Sequence, residues 1–232
     1  MNVNRPIPFR DLRLFIFDLD GTLIDSRVDL ANAVNAMLRQ VERPELLHQT
    51  IATYIGDGAP MLVRRALGDP DDENFVQHAL DLFLAYYRQH KLDHTYVYEG
   101  VLQSLKNMQA SFPQAKLAVL SNKPVNPSRQ IVEALGLTPF FFQVYGGNSF
   151  HTKKPDPHGV LTLLREAGNE AGEVPASEAV LIGDSAVDVL TARNSGIYSV
   201  GCAYGLAPHT LADAPPDILV DSPMEWMEMI AG

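Results

Sequence analysis

Short apolar runs recur along the chain, and each has the length and the β-branched and aromatic content of a buried strand. The first run ends directly at Asp18. Continuous apolar runs of this kind are typical of strands covered on both faces, as in parallel sheets. The pattern predicts strands at 12–17, 116–121, 140–145, 179–182, 199–203 and 218–220.

Segments with helical periodicity separate these runs in the second part of the chain. They lie at 101–108, 130–135, 159–167 and 186–194, and the second and fourth stop before Gly136 and Gly196. Glycine is common just after the last residue of a helix. Strands that alternate with helices from about residue 99 onward predict an α/β fold with a doubly wound, Rossmann-like parallel sheet. We assign the first strand to the same sheet.

The segment from about residue 27 to 94 breaks this alternation, because apolar residues recur there with helical spacing and form no convincing strand. We therefore expect an all-helical cap domain at 26–95, inserted into a catalytic core formed by 1–25 and 96–232. The insertion begins just after the first strand, where open α/β sheets bind ligands, so it can act as a lid. Its predicted helical faces comprise Val28, Ala31, Val34, Leu38 and Val41, and Phe75, Ala79, Leu82, Phe83 and Tyr86.

Composition and charge limit the possible partners. The formal net charge of −10 argues against nucleic acid or an anionic membrane surface as the main partner. An anionic substrate would need a locally positive pocket or a bound cation. The single cysteine, Cys202, cannot form an internal disulfide, no apolar run is long enough to span a bilayer, and residues 1–10 lack a signal-peptide core. We expect a cytoplasmic protein.

Polar residues follow four of the predicted strands at the point where each ends. Each group by itself is ordinary turn or helix-cap chemistry, but the carboxyl ends of parallel strands meet at one edge of the sheet. A hydroxyl and an amide can donate to phosphate oxygens, and a lysine in a proline-stiffened stretch can neutralise crowded carboxylates. The groups are Asp18, Asp20 and Gly21; Ser121 and Asn122; Lys153 and Lys154; and Asp184 and Asp188.

Together these groups meet the demands of phosphate monoester hydrolysis. That reaction needs an oxygen nucleophile, neutralisation of the phosphoryl charge and a proton donor for the leaving alcohol. A hard cation such as Mg²⁺ suits oxygen ligands, and we expect it among Asp18, Asp184 and the backbone carbonyl of Asp20. The carboxylates would recruit the metal, and the metal with Lys154 would recruit the anionic substrate, a small phosphorylated metabolite.

The order of these motifs resembles that of the haloacid dehalogenase-like superfamily of phosphohydrolases, and the resemblance runs across nearly the whole chain. The matching residues are Asp18-Leu19-Asp20-Gly21-Thr22, Ser121, Lys154-Pro155 and Gly183-Asp184-Ser185 with Asp188. The resemblance implies that Asp18 is the nucleophile and forms an aspartyl-phosphate, and that Asp20 is the general acid and base. It implies further roles in phosphate binding for Thr22, Ser121, Asn122 and Lys154; in Mg²⁺ binding for Asp18, Asp20 and Asp184; and in support of that site or of Lys154 for Asp188.

Within the superfamily the chain resembles bacterial phosphoglycolate phosphatases best, in the stretches 55–59, 65–67, 98–101, 121–124 and 146–149. Glu99 stands where proline is usual in that group, and Ala115-Lys116 follows a Phe-Pro where glycine is frequent. The resemblance implies hydrolysis of 2-phosphoglycolate to glycolate and phosphate. In the cap, we expect Gly56 and Gly58 to allow close backbone approach to the substrate, and Arg64 or Arg65 to pair with its carboxylate.

Several alternatives stay open at this point. Asp20 argues against a haloacid dehalogenase, since that branch lacks a second aspartate at this position. A β-phosphoglucomutase-type mutase, a pyrophosphatase and another sugar-phosphate or nucleotide phosphatase would use the same nucleophile. A catalytically inactive binding module with the same fold is the alternative from a different class. The sequence does not distinguish a monomer from a dimer.

Overall fold

A central sheet organises the protein. The computed structural model describes residues 1–168, 170 and 172–231 of the 232-residue chain. Two further short strands, Ile24–Asp25 and Tyr96–Val97, pair antiparallel with each other outside the central sheet. The strands in chain order are β1 (Asn2–Val3), β2 (Leu14–Phe17), β3 (Ile24–Asp25), β4 (Tyr96–Val97), β5 (Lys116–Leu120), β6 (Gln143–Tyr145), β7 (Ala179–Gly183), β8 (Tyr198–Cys202) and β9 (Ile218–Val220).

The central sheet has seven strands in the order β1-β9-β8-β7-β2-β5-β6. Strand β2 lies in the interior of the sheet and pairs in parallel with β5 and with β7. All the other pairs are parallel except β1 with β9 at the edge. The predicted α/β fold with a doubly wound parallel sheet is therefore confirmed. The antiparallel edge strand is not predicted, because its two residues are exposed and show no apolar pattern.

Helices cover both faces of this sheet. Successive residues of β2 alternate between the two layers: Phe15 and Phe17 belong to one buried cluster, and Leu14 and Ile16 to the other. Burial on both faces explains why the strand carries no polar alternation. The helices in chain order are α1 (Arg27–Gln40), α2 (His48–Ala52), α3 (Ala59–Ala66), α4 (Glu73–His90), α5 (Val101–Ser111), α6 (Val125–Ala134), α7 (His158–Ala167), α8 (Ala186–Ser195) and α9 (Glu225–Ala231).

Residues 26–95, all of which the structure describes, contain helices α1–α4 and no strand. We call this segment the helical insertion. It has a hydrophobic cluster of its own, in which α1 contributes Val34 and Met37 and α4 contributes Ala79 and Phe83. Strands β3 and β4 pair at the two ends of the insertion, where the chain leaves and re-enters the sheet layer. Its division from the rest of the chain as a separate cap domain stays a prediction.

One predicted strand is shorter than expected. Of the run 140–145, only Gln143–Tyr145 pairs with the sheet, and a 3₁₀ turn at Thr138–Phe140 precedes it. Pro139 lies at the start of that turn, where its fixed φ favours a helical turn over an extended strand. In the part of the chain that the structure describes, we find no helix with the length and apolar content that a membrane crossing requires.

Candidate active site

The carboxyl ends of the three central strands bring the predicted polar groups together. Asp18 follows β2 directly, and its backbone N–H donates to the carbonyl of Ile182 on β7 at 2.9 Å. Ser121 follows β5 on the other side, and its N–H donates to the carbonyl of Tyr145 on β6 at 3.0 Å. These ladder bonds fix the side chains at one edge of the sheet, which is where open α/β sheets bind ligands.

Three buried carboxylates form the centre of the site. One carboxylate oxygen from each of Asp18, Asp184 and Asp188 lies within 4.8 Å of the others. Burial, together with the neighbouring carboxylates, raises the pKa of Asp18 to about 6, although Lys154 opposes the shift. Burial and the charges of Asp188 and Asp18 raise the pKa of Asp184 to about 8. The cluster therefore holds more negative charge than its surroundings stabilise.

Lys154 lies between two of these carboxylates. Its Nζ is 2.9 Å from Oδ1 of Asp18 and 2.6 Å from Oδ1 of Asp188, and its side chain is almost fully buried. Burial acts to lower the pKa of this lysine, but the two carboxylates hold it above its ordinary value. The other oxygen of Asp188 accepts hydrogen bonds from the backbone N–H and the hydroxyl of Ser185, at 3.1 and 2.7 Å. Lys154 is thus a fixed cation beside Asp18.

Asp20 lies outside the carboxylate cluster and has different partners. Its carboxylate accepts from Lys123 Nζ at 2.9 and 2.8 Å and from the hydroxyl of Ser26 at 2.5 Å. The Asp20 carboxylate is therefore hydrogen-bonded to Lys123 and Ser26 and not directed at the predicted metal site. The backbone carbonyl of Asp20 is the group left to bind the metal. Lys123 is absent from our sequence-based set of site residues, although it directly follows Ser121 and Asn122.

Three predicted phosphate-binding side chains, those of Thr22, Ser121 and Asn122, are buried. The Thr22 hydroxyl and Oδ1 of Asn122 have no hydrogen-bond partner among the described residues. Nδ2 of Asn122 donates to the carbonyl of Lys154 at 3.1 Å and to that of Gly56 at 3.3 Å. The hydroxyl of Ser121 accepts a 3.3 Å hydrogen bond from the backbone of Lys123. Buried polar atoms without partners are costly, and a bound ligand would satisfy them.

The carboxylate cluster fits a bound Mg²⁺. Three buried carboxylates face one ammonium group, so the site carries an excess of negative charge that a divalent cation would neutralise. All donors are oxygens, which Mg²⁺ prefers. Asp184 is further fixed by the backbone N–H groups of Leu206 and Ala207, which donate to its Oδ2 at 2.6 and 2.9 Å. Sequence reasoning missed these two donors, since a backbone N–H has no residue signature.

Gly21 makes room for Asp184. A Cβ at Gly21 would lie 2.1 Å from Oδ2 of Asp184, and the backbone has φ +87°, which side-chain-bearing residues seldom adopt. Gly205 also packs closely against this residue, since a Cβ there would lie 2.2 Å from that of Asp184. The glycine after Asp20 is therefore required by the close packing of two strand ends around one carboxylate.

A cavity lies between the site and the helical insertion. Gly56 and Gly58 line it, and the two arginines of α3 do not. Arg64 pairs with Glu73 at 2.5 Å and with Asp69, and Arg65 pairs with Asp57 at 2.5 Å. Other residues that line the cavity are Asp18, Asp20, Leu30, Ile55, Ala59, Leu62, Phe83, Leu84, Tyr87, Ser121, Asn122, Lys123, Pro124 and Pro127.

Comparison with known families agrees with this arrangement. The family model described as "Haloacid dehalogenase-like hydrolase" matches residues 15–202. The chain belongs to this family. The match extends from the second residue of β2 to the end of β8, so it includes Asp18, Ser121, Lys154 and Asp184. The resemblance seen in the motifs is thereby confirmed.

Similar proteins carry one recurring name. A phosphoglycolate phosphatase of Pseudomonas syringae pv. tomato is 36% identical over 215 residues, which are 90% of this chain and 76% of that protein. One of Vibrio cholerae is 36% identical over 231 residues, covering 95% of this chain and 98% of that protein. The crystal structure of a "predicted phosphoglycolate phosphatase" from Haemophilus somnus 129PT superposes with a TM-score of 0.85 at 28% identity, covering 94% of this chain and 98% of that one.

Proposed function

We propose that the protein is a Mg²⁺-dependent phosphatase that hydrolyses 2-phosphoglycolate to glycolate and phosphate through an aspartyl-phosphate on Asp18. The observation that carries this proposal is the position of Asp18, whose carboxylate lies 2.9 Å from Lys154 and clusters with Asp184 and Asp188. The choice of substrate is supported by the names of the similar proteins.

The metal would be held by the carboxylates of Asp18 and Asp184 and by the backbone carbonyl of Asp20. When bound, Mg²⁺ supplies positive charge that offsets repulsion between the carboxylates and an incoming phosphate. Lys154 supplies a second positive charge beside Asp18 and is oriented by Asp188. The unpartnered hydroxyl of Thr22 and the side chains of Ser121 and Asn122 would bind the phosphoryl oxygens.

Two transfers complete the reaction. In the first, an oxygen of Asp18 bonds to phosphorus, the bond from phosphorus to the glycolate oxygen breaks, and Asp20 gives that oxygen its proton. In the second, Asp20 takes a proton from water as the water oxygen bonds to phosphorus. The bond to Asp18 then breaks, so phosphate leaves and the carboxylate is restored. Lys123 and Ser26 hold Asp20 in place for both transfers.

We extend the proposal to the helical insertion, which would act as a cap over the substrate. Its residues Gly56 and Gly58 line the cavity above Asp18. The backbone at Gly58 comes close to the core, since a Cβ there would lie 3.0 Å from the carbonyl oxygen of Asn122. Closure of such a cap excludes water other than the one that reacts.

The experiment is phosphate release from a panel of esters with and without Mg²⁺. The panel contains 2-phosphoglycolate, p-nitrophenyl phosphate, pyrophosphate, β-glucose 1-phosphate and nucleotide monophosphates. We expect kcat/KM to be highest for 2-phosphoglycolate, loss of activity in EDTA, and a fall of at least about 10³-fold in Asp18→Asn, which keeps the shape but not the nucleophile. Folded protein that releases no phosphate from any ester with Mg²⁺ present would refute the proposal.

A further inference from the structure

Lys123 reaches the cavity from the core and lies between Asp20 and Tyr87. Its Nζ lies 2.8 and 2.9 Å from the two oxygens of Asp20 and 4.8 Å from the ring centre of Tyr87 on α4. An ammonium group carries three protons, of which the contacts to Asp20 use two. Lys123 can therefore hold Asp20 and still donate to a substrate group.

The charges around the cavity leave this task to Lys123. Among the described residues that line the cavity, Lys123 is the sole cation, and Asp18 and Asp20 are the acids. Lys154 is already paired with Asp18 and Asp188. Lys123 pairs with one carboxylate, that of Asp20, and Lys154 with two, so a second anionic group on a substrate would meet Lys123 at the cavity wall.

Tyr87 adds a second donor from the helical insertion. It lines the cavity and is buried, and no group within the described part of the chain meets hydrogen-bond geometry at its hydroxyl, which lies near enough to Lys123 to interact with the ammonium group. Burial raises the pKa of Tyr87 to about 12, so the hydroxyl stays protonated at neutral pH. A buried hydroxyl without a partner is costly, and an anionic oxygen beside Lys123 would satisfy it.

Apart from Tyr87, the side of the wall that the helical insertion forms is apolar. The helical insertion contributes Leu30, Ile55, Leu62, Phe83 and Leu84 to the cavity. The hydroxyl groups of a sugar or a nucleoside would lose their hydrogen bonds to water here and gain none in return. This wall therefore favours a short leaving group with one polar end.

We propose that Lys123 and Tyr87 form the binding site for a carboxylate on the leaving group, which limits the substrates to small phosphorylated carboxylic acids. The inference rests on the proposed function, because it places the leaving oxygen beside Asp20. In 2-phosphoglycolate a single carbon separates that oxygen from the carboxylate. Since Lys123 lies 2.8 Å from Asp20, the carboxylate falls within its reach.

The test compares two unreactive ligands that differ only in the carboxylate. 3-Phosphonopropionate carries a methylene in place of the ester oxygen of 2-phosphoglycolate, and propylphosphonate lacks the carboxylate. We measure both dissociation constants by calorimetry with Mg²⁺ present. We expect the wild type to bind 3-phosphonopropionate about 10- to 100-fold tighter, the gain typical of a charge-assisted hydrogen bond. Lys123→Met should bring this ratio close to one.

Three further variants separate binding from folding. Lys123→Arg keeps the charge and should retain most of the ratio. Tyr87→Phe removes one hydroxyl and should lower the ratio about 3- to 10-fold. Lys106→Met, an exposed lysine on α5, should leave it unchanged. If Lys123→Met does not fold, as judged by thermal unfolding, the arginine and phenylalanine variants carry the test.

Two results would overturn the inference. One is equal binding of the two phosphonates by the wild type, and the other is an unchanged ratio in both Lys123→Met and Tyr87→Phe. The proposed function is judged separately by hydrolysis of p-nitrophenyl phosphate, which has no carboxylate. Wild-type protein that hydrolyses this ester but does not discriminate between the phosphonates would refute the carboxylate site and leave the phosphatase proposal standing.

Discussion

Lys154 donates a 2.6 Å hydrogen bond to Asp188, and both side chains are almost completely buried. Asp188 is itself held by Ser185 at the start of α8 in a reciprocal capping arrangement. The N-terminus of α8, which follows β7, thereby fixes the ammonium group of Lys154 against the carboxylate of Asp18, which follows β2. The cation beside Asp18 is positioned by the fold before any substrate binds, which is the form in which charge contributes most to catalysis.

Removal of this cation should destabilise the protein strongly. Lys154→Met leaves Asp18 and Asp188 buried without a positive partner, and breaking a buried pair in this way typically costs about 3–5 kcal/mol. We expect a loss of this size in the free energy of unfolding by urea, measured in EDTA. The control Lys106→Met should change it by less than about 0.5 kcal/mol.

The double variant tests the cause. Adding Asp188→Asn to Lys154→Met removes one of the uncompensated charges and should recover part of the lost stability. A Lys154→Met protein within about 1 kcal/mol of the wild type would contradict the view that this lysine holds the cluster together.

The metal-free protein should become less stable as the pH rises. The pKa of Asp184 is raised from 3.8 to about 8 in the folded state, so between these values the folded protein binds more protons than the unfolded chain. Stability contributed by this proton is lost as the pH rises through that window, and Asp18 adds the same trend up to about pH 6. We expect Tm in EDTA to fall between pH 5 and pH 8.

Asp184→Asn isolates this effect, because the amide cannot titrate. The fall in Tm between pH 5 and pH 8 should be smaller in the variant, and Mg²⁺ should raise Tm of the wild type but not of the variant. An equal fall in both proteins would show that Asp184 is not the group responsible.

Gly21→Ala and Gly136→Ala separate backbone strain from damage to the site. Both glycines have positive φ, +87° and +70°, but a Cβ at Gly136 has no atom within 4 Å. Gly136→Ala should cost only about 1–2 kcal/mol of stability and leave kcat/KM unchanged. Gly21→Ala should in addition displace Asp184 and lower kcat/KM by at least about 10²-fold. Equal kinetic effects of the two variants would contradict the assignment of Gly21 to the site.

Much of the site follows from the order of residues along the chain. A parallel sheet places the ends of its strands at one edge, so Asp18, Ser121 and Asp184 are predictable neighbours once their strands are recognised. The side chains of the helical insertion are not predictable in this way. The arginines of α3 follow a glycine turn, as substrate-binding residues would. In the structure, however, Arg64 and Arg65 pair with acidic residues of the same insertion.

Lys123 shows the opposite case. In the sequence it belongs to an ordinary polar turn after β5, with no periodicity or spacing that marks a binding residue. Its role depends on a distance between β2 and β5, which brings its Nζ to Asp20, and on Tyr87, which is 36 positions away in the chain. Such a residue can be identified only when the positions of the sheet and of the helical insertion are both known.

Lys153 and Asn122 hold the turn of the helical insertion against the core. Nζ of Lys153 donates to the carbonyl of Asp57 at 2.6 Å, and Nδ2 of Asn122 donates to that of Gly56 at 3.3 Å. Lys153→Met removes the shorter bond without touching Asp18. Since one such bond contributes about 1 kcal/mol, we expect amide hydrogen exchange at 55–59 to rise about fivefold and KM to rise by a similar factor.

The exchange measurement distinguishes a hold on the turn from a general loss of stability. Tm and the exchange of amides in β2 and β5 should match the wild type, because Lys153 is exposed and contributes nothing to the buried clusters. Lys116 is the first residue of β5, at the end of the strand away from Ser121. Lys116→Met is therefore the matched control and should leave exchange at 55–59 unchanged. Unaltered exchange and KM in Lys153→Met would mean that the turn is held by Asn122 and by the packing of α3 alone.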